Sequence, residues 1–473
     1  MVRLTIEEIA SAINARVFGK PPRKTVCGVS TDSRTVATGG LFFALRGKRF
    51  DGHSFVGEVI RKGVTAVVVA RDSKVSRNVD VAVLAVDDTG RALMDLAAYY
   101  RAKRDATIVA VTGSNGKTTV KDMIYHIVSG SMPAVKSPLS FNNDVGVPLT
   151  LLSIESDTKV AVVEHGTNSP GEIKALAAVS KPDIGIVTNI SQTHLEGLSS
   201  AEGVAREKSD LVRALPKNGM AILNREDAWF DYMQEAAPCR VVTIGFSPEC
   251  DWYAEETEQM PDKVRFVLNG KHAITMPVLG KHNVSNALAA VAAAKALGVD
   301  IEEMKGRLAT FQAPPMRLQK EVVEGITIIN DAYNANPFSV GAAVAFLDSC
   351  VTSGRKVLVL GDMGELGRDS RSIHRSMGKA ISASDVDCVF TLGRDGRYVS
   401  QAAAENGKRI QAAHFENFEQ AVDTLANLLH EGDVVLFKAS RHIKLEGLIQ
   451  ALKPRLVTPP NRGRVQDAIC HSV

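Results

Sequence analysis

The sequence predicts an α/β protein of three domains whose central domain is built on a mostly parallel sheet. Three observations carry that prediction. Apolar runs of strand length end in polar residues and give way to helical spacing, and this repeats along most of the 473 residues. One such unit, residues 107–127, reads as strand, glycine-containing loop and helix, the context that gives a phosphate-loop motif its meaning. Ala313-Pro314-Pro315 interrupts both periodicities and marks a boundary. At ~150 residues per domain the length suits three. They are placed at 1–83, 84–314 and 315–455, with a mobile tail expected at 456–473.

Composition excludes several classes. Lysine and arginine number 56 against 53 acidic residues, so no global field marks a nucleic-acid or membrane binder. The opening MVRLTIEEIASAI has charges inside its apolar run and no small-residue cleavage site, which argues against a signal peptide. No apolar run approaches the ~20 residues that a membrane span needs. Six cysteines are scattered without a C-x-x-C pair, so neither a disulfide framework nor a zinc site is expected, and a reducing cytoplasm fits.

In the N-terminal domain Thr5 is placed to cap a first helix, with Glu7 and Glu8 in its opening turn. Strands are expected at 41–45, 64–69 and 81–86, then a helix over 91–103. Asp32, Ser33, Arg34, Lys48, Arg49, Asp51 and His53 cluster around turns, where side chains can point at a ligand. On spacing alone a solvated loop fits them equally well.

The central domain opens on the strand 108–111 and the loop Thr112-Gly113-Ser114-Asn115-Gly116-Lys117-Thr118-Thr119. Val120, Met123, Ile124, Ile127 and Val128 then share one helical face. Gly113 and Gly116 let backbone N–H groups close around phosphate oxygens, and the helix N-terminus adds partial positive charge. Lys117 would reach the β- and γ-phosphates, and the Thr118 hydroxyl would sit on Mg²⁺. Val111 occupies the first glycine position of the eight-residue pattern. These features point to a nucleoside triphosphate. Strands at 160–163 and 184–188 end at Glu164-His165 and Asn189, with His194 close behind. Glu164 and His194 are therefore candidate metal ligands, although a histidine after a strand is commonly structural and Lys208 in the next helix commonly a surface lysine. Ser199 and Glu202 have capping-box spacing for that helix. Short strands between 241 and 276 suggest a small antiparallel insert, and a long alanine-rich helix starts near Asn283.

Beyond the boundary, ITIIN is expected as the first strand of the last domain, ending at Asn330-Asp331. Asn336 caps a helix with Pro337 in its first position. Further strands fall at 356–360, 387–392 and 433–438. Arg317 and Asp331 flank ITIIN and could reach a nucleotide across a cleft, while an interdomain salt bridge explains Arg317 equally well.

Nine stretches occur in one order: VTGSNGKTT, SFNNDVGVPLTLL, VEHGTNSPGEI, TNISQTHLEG, REKSDL, LGKHNVSNALAA, PMRLQ, NDAYNANPFSV and LGDMGELG. Together they resemble the Mur ligase family over nearly the whole chain apart from the tail. FNNDVGVPLTLL, DAYNANP and LGDMGELG are most similar to the branch that adds D-alanyl-D-alanine to UDP-N-acetylmuramoyl-tripeptide. The DNPR motif usual in the branch that adds the third residue is absent. A sister Mur ligase, a folylpolyglutamate-type ligase and a non-enzymatic ATP-dependent switch are the alternatives.

The resemblance implies a cytoplasmic, monomeric peptidoglycan enzyme that uses ATP and Mg²⁺. Its N-terminal domain would bind the UDP-sugar, its central domain ATP, and its Rossmann-like C-terminal domain would close on the nucleotide. Ser33, Arg34, Asp51 and His53 would face the uridine diphosphate end. Thr118 and Glu164 would hold one Mg²⁺, and Glu164, His194 and a carbamate on Lys208 a second. Asn283, Arg317 and Asp331 match positions that contact the nucleotide, and Asn334 and Asn336 positions that engage the dipeptide.

Overall fold

A computed structural model describes residues 3–47, 50–76, 78–405 and 410–457. Lys48, Arg49 and residues 458–473 of the expected tail lie outside the described residues. The first two residues assigned to that tail, Leu456 and Val457, complete the helix Glu446–Val457. The chain forms two compact units: Met1–Ile190 with Glu202–Tyr253 and Ser285–Leu308, and Ser191–Ala201 with Ala254–Val284 and Ala309–Val473.

The first unit contains a five-stranded N-terminal sheet in the order Arg16–Phe18, Ala82–Val86, Ala66–Ala70, Leu41–Phe43, Val29–Ser30, parallel except at its first pair. Ala66–Ala70 and Ala82–Val86 are buried along their whole length, which is why they read as unbroken apolar runs. The first helix, Ile6–Ala12, starts at Thr5 as expected. Thr5 Oγ1 accepts from Glu8 N at 3.1 Å, and the Glu8 carboxylate accepts from Thr5 N at 2.8 Å.

The helix Thr89–Arg101 joins this sheet to the next. Its Leu93, Leu96 and Tyr100 share one apolar cluster with Leu4, Ile6 and Val26 on one side and Ile108, Leu151 and Leu176 on the other. The Tyr100 hydroxyl donates to the Ile154 carbonyl at 2.7 Å, which satisfies the one polar atom of a fully buried ring. A single core thus runs across the boundary placed at residue 83.

The second sheet of this unit runs Arg240–Gly245, Met220–Asn224, Ile184–Val187, Thr107–Thr112, Val160–Glu164, Ala134–Lys136, and every pair is parallel. The phosphate-loop strand is central. From it the chain winds first toward Ala134–Lys136 and then toward Arg240–Gly245, so the strand order reverses beside Thr107–Thr112. That switch point is where ligands collect at the carboxyl edge of such sheets.

The second unit holds an antiparallel piece formed by Trp252–Gln259 from Ala254 onward, Val264–Leu268 and His272–Met276. It also holds a six-stranded sheet in the order Gln319–Val323, Ile326–Asn330, Val434–Lys438, Lys356–Leu360, Cys388–Leu392, Gln411–Phe415, parallel except at the first pair.

Three sequence expectations are corrected. Arg240–Gly245 belongs to the parallel sheet, so the antiparallel insert begins later than residue 241. ITIIN is the second strand of its sheet, because Gln319–Val323 precedes it in a hairpin turned by Glu324 (φ 47°) and Gly325 (φ 74°), a left-handed pair that suits strand twist. Ser199 does not cap the helix Ala201–Arg213; at φ 65° it ends the short helix Leu195–Leu198.

Candidate active site

Two glycines shape the loop. Gly113 has φ 143°, and a Cβ there would lie 1.9 Å from Thr188 Oγ1. Gly116, the residue before the helix Lys117–Val128, has φ 82°, and its Cβ would lie 2.4 Å from Asn286 Oδ1. Both the backbone and the space therefore demand glycine. The neighbouring strand end fastens the loop: Ser114 N donates to Asn189 O at 2.8 Å and Asn115 N to Asn189 Oδ1 at 3.0 Å. Thr188 Oγ1 and Asn189 Nδ2 donate to Asn115 O at 2.5 and 3.1 Å. Lys117 Nζ folds over the loop, donating to the carbonyls of Gly113 at 2.6 Å and Ser114 at 3.2 Å. Thr118 and Thr119 are buried in the first helical turn.

A second segment, residues 137–142, reaches the same edge. Ser140 Oγ lies 3.4 Å from Thr118 Oγ1, and Asn142 Nδ2 donates to Glu164 Oε1 at 2.9 Å. Glu164 is buried, and its other oxygen, Oε2, has no hydrogen-bond partner. Lys208, expected on spacing alone as a surface residue, is fully buried, and its Nζ likewise has no hydrogen-bond partner. Burial and then the positive charge of Lys117 push its pKa well below the ordinary lysine value, against the opposing pull of Glu207. Glu207 itself is bound to structure, accepting from Gly171 N at 2.6 Å and Ile173 N at 2.7 Å.

Among the described residues no cluster of three or more histidine, cysteine or acidic side chains could hold a metal. The donors that fit one are the buried Glu164 carboxylate, whose Oε1 accepts from Asn142 and whose Oε2 faces the Lys121 ammonium at 3.6 Å, and the Thr118 hydroxyl beside Ser140. A buried carboxylate and a hydroxyl in the first turn after the phosphate loop are hard oxygen donors of the kind Mg²⁺ takes. Burial that disfavours its ammonium, with no hydrogen-bond partner at Nζ, suits Lys208 to conversion to a carbamate.

The remaining candidates fall in two places. In the turn after the N-terminal strand Val29–Ser30, Ser33 is buried, and Lys62 Nζ donates to its carbonyl at 2.7 Å. Arg34 chelates Asp32 (Nη2–Oδ2 2.6 Å), and that guanidinium holds the Asp32 carboxyl down at about 2. Asp51 caps the turn Gly52–Phe55. His53 is fixed at both nitrogens, with Nδ1 2.5 Å from Asp51 Oδ1 and Nε2 accepting from Ala70 N at 2.9 Å.

In the second unit His194 (φ 54°) heads the helix Leu195–Leu198, with its Nδ1 against the Glu365 carboxylate. Asp331 is fully engaged: Oδ1 accepts from Leu318 N at 3.2 Å and Oδ2 from Lys438 Nζ at 2.6 Å. Lys438 also donates to Asn334 O at 3.0 Å, and the Arg317 guanidinium stacks 4.3 Å over the Tyr333 ring. Asn283 Nδ2 donates to Leu279 O at 2.7 Å, and Asn334 Oδ1 accepts from Ala335 N at 2.9 Å. Asn336 Oδ1 accepts from Ser339 N at 2.9 Å, which is the cap expected from sequence.

Sequence reasoning did not assign roles to Asn142, Asn189, Lys121, Lys438 or Asp362. Asn142, Asn189 and Asp362 lie inside the quoted motifs. Lys438 is the last residue of an apolar strand, the position that marked Glu164. Lys121 stands three and seven residues before Ile124 and Val128, so it shares the buried face of its helix.

Three family models match the chain: the Mur ligase family catalytic domain over residues 25–101, the Mur ligase middle domain over 111–294, and the Mur ligase glutamate ligase domain over 316–441. The UDP-N-acetylmuramoyl-tripeptide–D-alanyl-D-alanine ligase of Bacillus subtilis is 36% identical over 455 residues, covering 96% of this chain and 99% of its own length. A crystal structure of MurF from Acinetobacter baumannii superposes with TM-score 0.88 at 31% identity, over 96% of this chain and 99% of that one. The MurF ligase of Thermotoga maritima, solved in complex with ADP, gives TM-score 0.78 at 25% identity, over 91% and 97%. With the glycine-built loop, the switch-point sheet and these matches along nearly its full length, the chain belongs to the Mur ligase family.

Proposed function

We propose that the protein joins D-alanyl-D-alanine to UDP-N-acetylmuramoyl-tripeptide, consuming ATP and releasing ADP and phosphate. The observation that carries this reading is the end-to-end match, at 34–36% identity, to ligases that bear this activity in their names. The described residues contain no helix long and apolar enough to cross a membrane. A peptidoglycan precursor ligase acting on a nucleotide-linked substrate belongs in the cytoplasm.

The chemistry follows from the substrates. A peptide carboxylate is a poor electrophile because its leaving group would be oxide. Transfer of the γ-phosphoryl group to a carboxylate oxygen releases ADP and leaves an acyl phosphate. The dipeptide amine then attacks the acyl carbon, the carbon–oxygen bond to phosphate breaks, and the amine loses a proton as the amide forms.

The loop would cradle the phosphates with its backbone N–H groups, and Lys117 would move from the Gly113 and Ser114 carbonyls to the transferring oxygens. Mg²⁺, when bound, would neutralise the charge spread over those oxygens, with Thr118 and Glu164 as its protein ligands. Lys208 suits carbamate formation: its neutral amine adds CO₂ and loses a proton. The product is an anion beside Lys117, where an ammonium would be repelled. For His194 as a metal ligand, for Asn283, Arg317 and Asp331 at the nucleotide, for Ser33, Arg34, Asp51 and His53 at the uridine diphosphate end, and for Asn334 and Asn336 at the dipeptide, the proposal rests on the resemblance alone.

The test is an acceptor screen read by phosphate release. Release should require ATP, the UDP-tripeptide and D-alanyl-D-alanine together. Equal release with a free diamino acid and the UDP-dipeptide would assign the chain to a sister ligase.

A further inference from the structure

The proposed mechanism gives the buried cation Lys121 no task. Lys121 lies in the helix Lys117–Val128, with its side chain fully shielded from solvent. Its ammonium donates to the Leu139 carbonyl and lies 3.6 Å from Glu164 Oε2 and 3.5 Å from Asp122 Oδ1. Asp122 is in turn held by Lys136 Nζ at 2.8 Å. Burying an ammonium costs several kcal/mol even when it is paired. Helix packing alone would be served better by an apolar side chain here, since Val120, Met123 and Ile124 around it are all buried.

The segment that Lys121 grips touches both metal-site donors. Ser140 meets the Thr118 hydroxyl, Asn142 donates to Glu164 Oε1, and Ser137 Oγ accepts from Glu164 N at 3.1 Å. Within the segment Phe141 N donates to the Pro138 carbonyl at 2.9 Å, and at its end Gly166 N donates to the Asn142 carbonyl at 2.8 Å. Leu139 sits at φ 46°, costly for a residue with a branched side chain, and is 75% exposed. Phe141 is 42% exposed.

We propose that Lys121 is a positioning residue of the phosphoryl-transfer site, whose ammonium anchors the Leu139 carbonyl and so sets Ser140 against Thr118 and Asn142 against Glu164. The catalytic arm of the test rests on the ligase reading above, whereas the structural arm does not.

The experiment uses the full chain as wild type, Lys121→Met and Lys121→Arg. Hydrogen exchange without ligands is read peptide by peptide, alongside kcat and KM in the phosphate-release assay. In Lys121→Met, exchange over 137–142 should rise about tenfold or more while the strand Thr107–Thr112 stays protected. Its kcat should fall about tenfold to a hundredfold, with KM for the UDP-tripeptide changed by less than about twofold. Lys121→Arg keeps a cationic donor and should restore much of both. Unchanged exchange over 137–142, or an unchanged kcat in a folded Lys121→Met protein, overturns the proposal. If Lys121→Met does not fold, the arginine variant decides: full exposure of 137–142 despite the retained donor would equally overturn it. If wild type proves inactive with D-alanyl-D-alanine, the ligase reading fails, and the exchange arm still reports on Lys121.

Discussion

The carboxyl edge of the phosphate-loop sheet and that of the C-terminal sheet look alike in sequence but differ in how their polar atoms are used. Both present apolar strands ending in acidic or amide side chains. In the C-terminal sheet those side chains are occupied, by backbone N–H groups and, at Asp331, also by Lys438 Nζ. Asp362 accepts from Arg394, Asp395 and Gly396 N at 2.7–3.0 Å, Met363 N donates to His374 Nε2 at 3.0 Å, and Asn336 caps its helix. At the phosphate-loop edge, Lys208 Nζ is buried with no hydrogen-bond partner, and Glu164 Oε2 likewise has none, with the Lys121 ammonium 3.6 Å away. A saturated polar group holds a fold together, whereas an orphaned one is tolerated where a ligand completes it. Buried atoms without a hydrogen-bond partner also occur away from this edge, at Arg104 Nε and Glu446 Oε2, so the distinguishing feature is an orphaned amine beside the phosphate loop.

The comparison can be tested by substitution, and the largest effect belongs to the phosphate loop. Lys117→Ala should lower kcat on the order of 10²–10³-fold in the phosphate-release assay, with thermal stability nearly unchanged. Lys208→Ala should lose about 10²-fold, with partial rescue by added short carboxylates. Full activity in that variant would remove the carbamate. Gly113→Ala should fold poorly, losing about 3 kcal/mol in denaturant titration from the clash with Thr188 and its positive φ, and Thr188→Ala in the same chain should recover part of this. Asp362→Asn should cost about 2 kcal/mol while kcat per folded molecule stays within about twofold. A large loss of kcat there would break the contrast drawn above.

A pH dependence is read separately, on stability rather than on turnover. His165 is fully buried, and burial holds its pKa at about 3 against 6.5 in the unfolded chain. The unfolded state then binds the extra proton between those values. The contribution is complete above pH 6.5 and is lost at about 1.4 kcal/mol per pH unit as pH falls toward 3. His165→Gln should flatten that part of the stability profile.

How much was legible varies by residue. The Thr5 and Asn336 caps, the phosphate loop and most strands could be read, because each depends on a local period or a cap within one turn. The hairpin strand Gln319–Val323 was missed because it is exposed and charged, with no apolar alternation to announce it. Ser199 was misread because its spacing to Glu202 fits a capping box while its backbone turns left-handed. Lys121 was hidden by its charge: a lysine on a helix reads as solvated until its neighbours are known.

By itself the sequence determined the elements, the order of the motifs and the family, since these follow from periodicity and residue type along the chain. Only the tertiary structure decided which polar groups were left over. Whether Glu164, Lys208 or Asp362 keeps a free valence depends on partners tens of residues away, brought to it by the sheet order, and hydrogen-bond saturation is a property of that meeting rather than of any one segment.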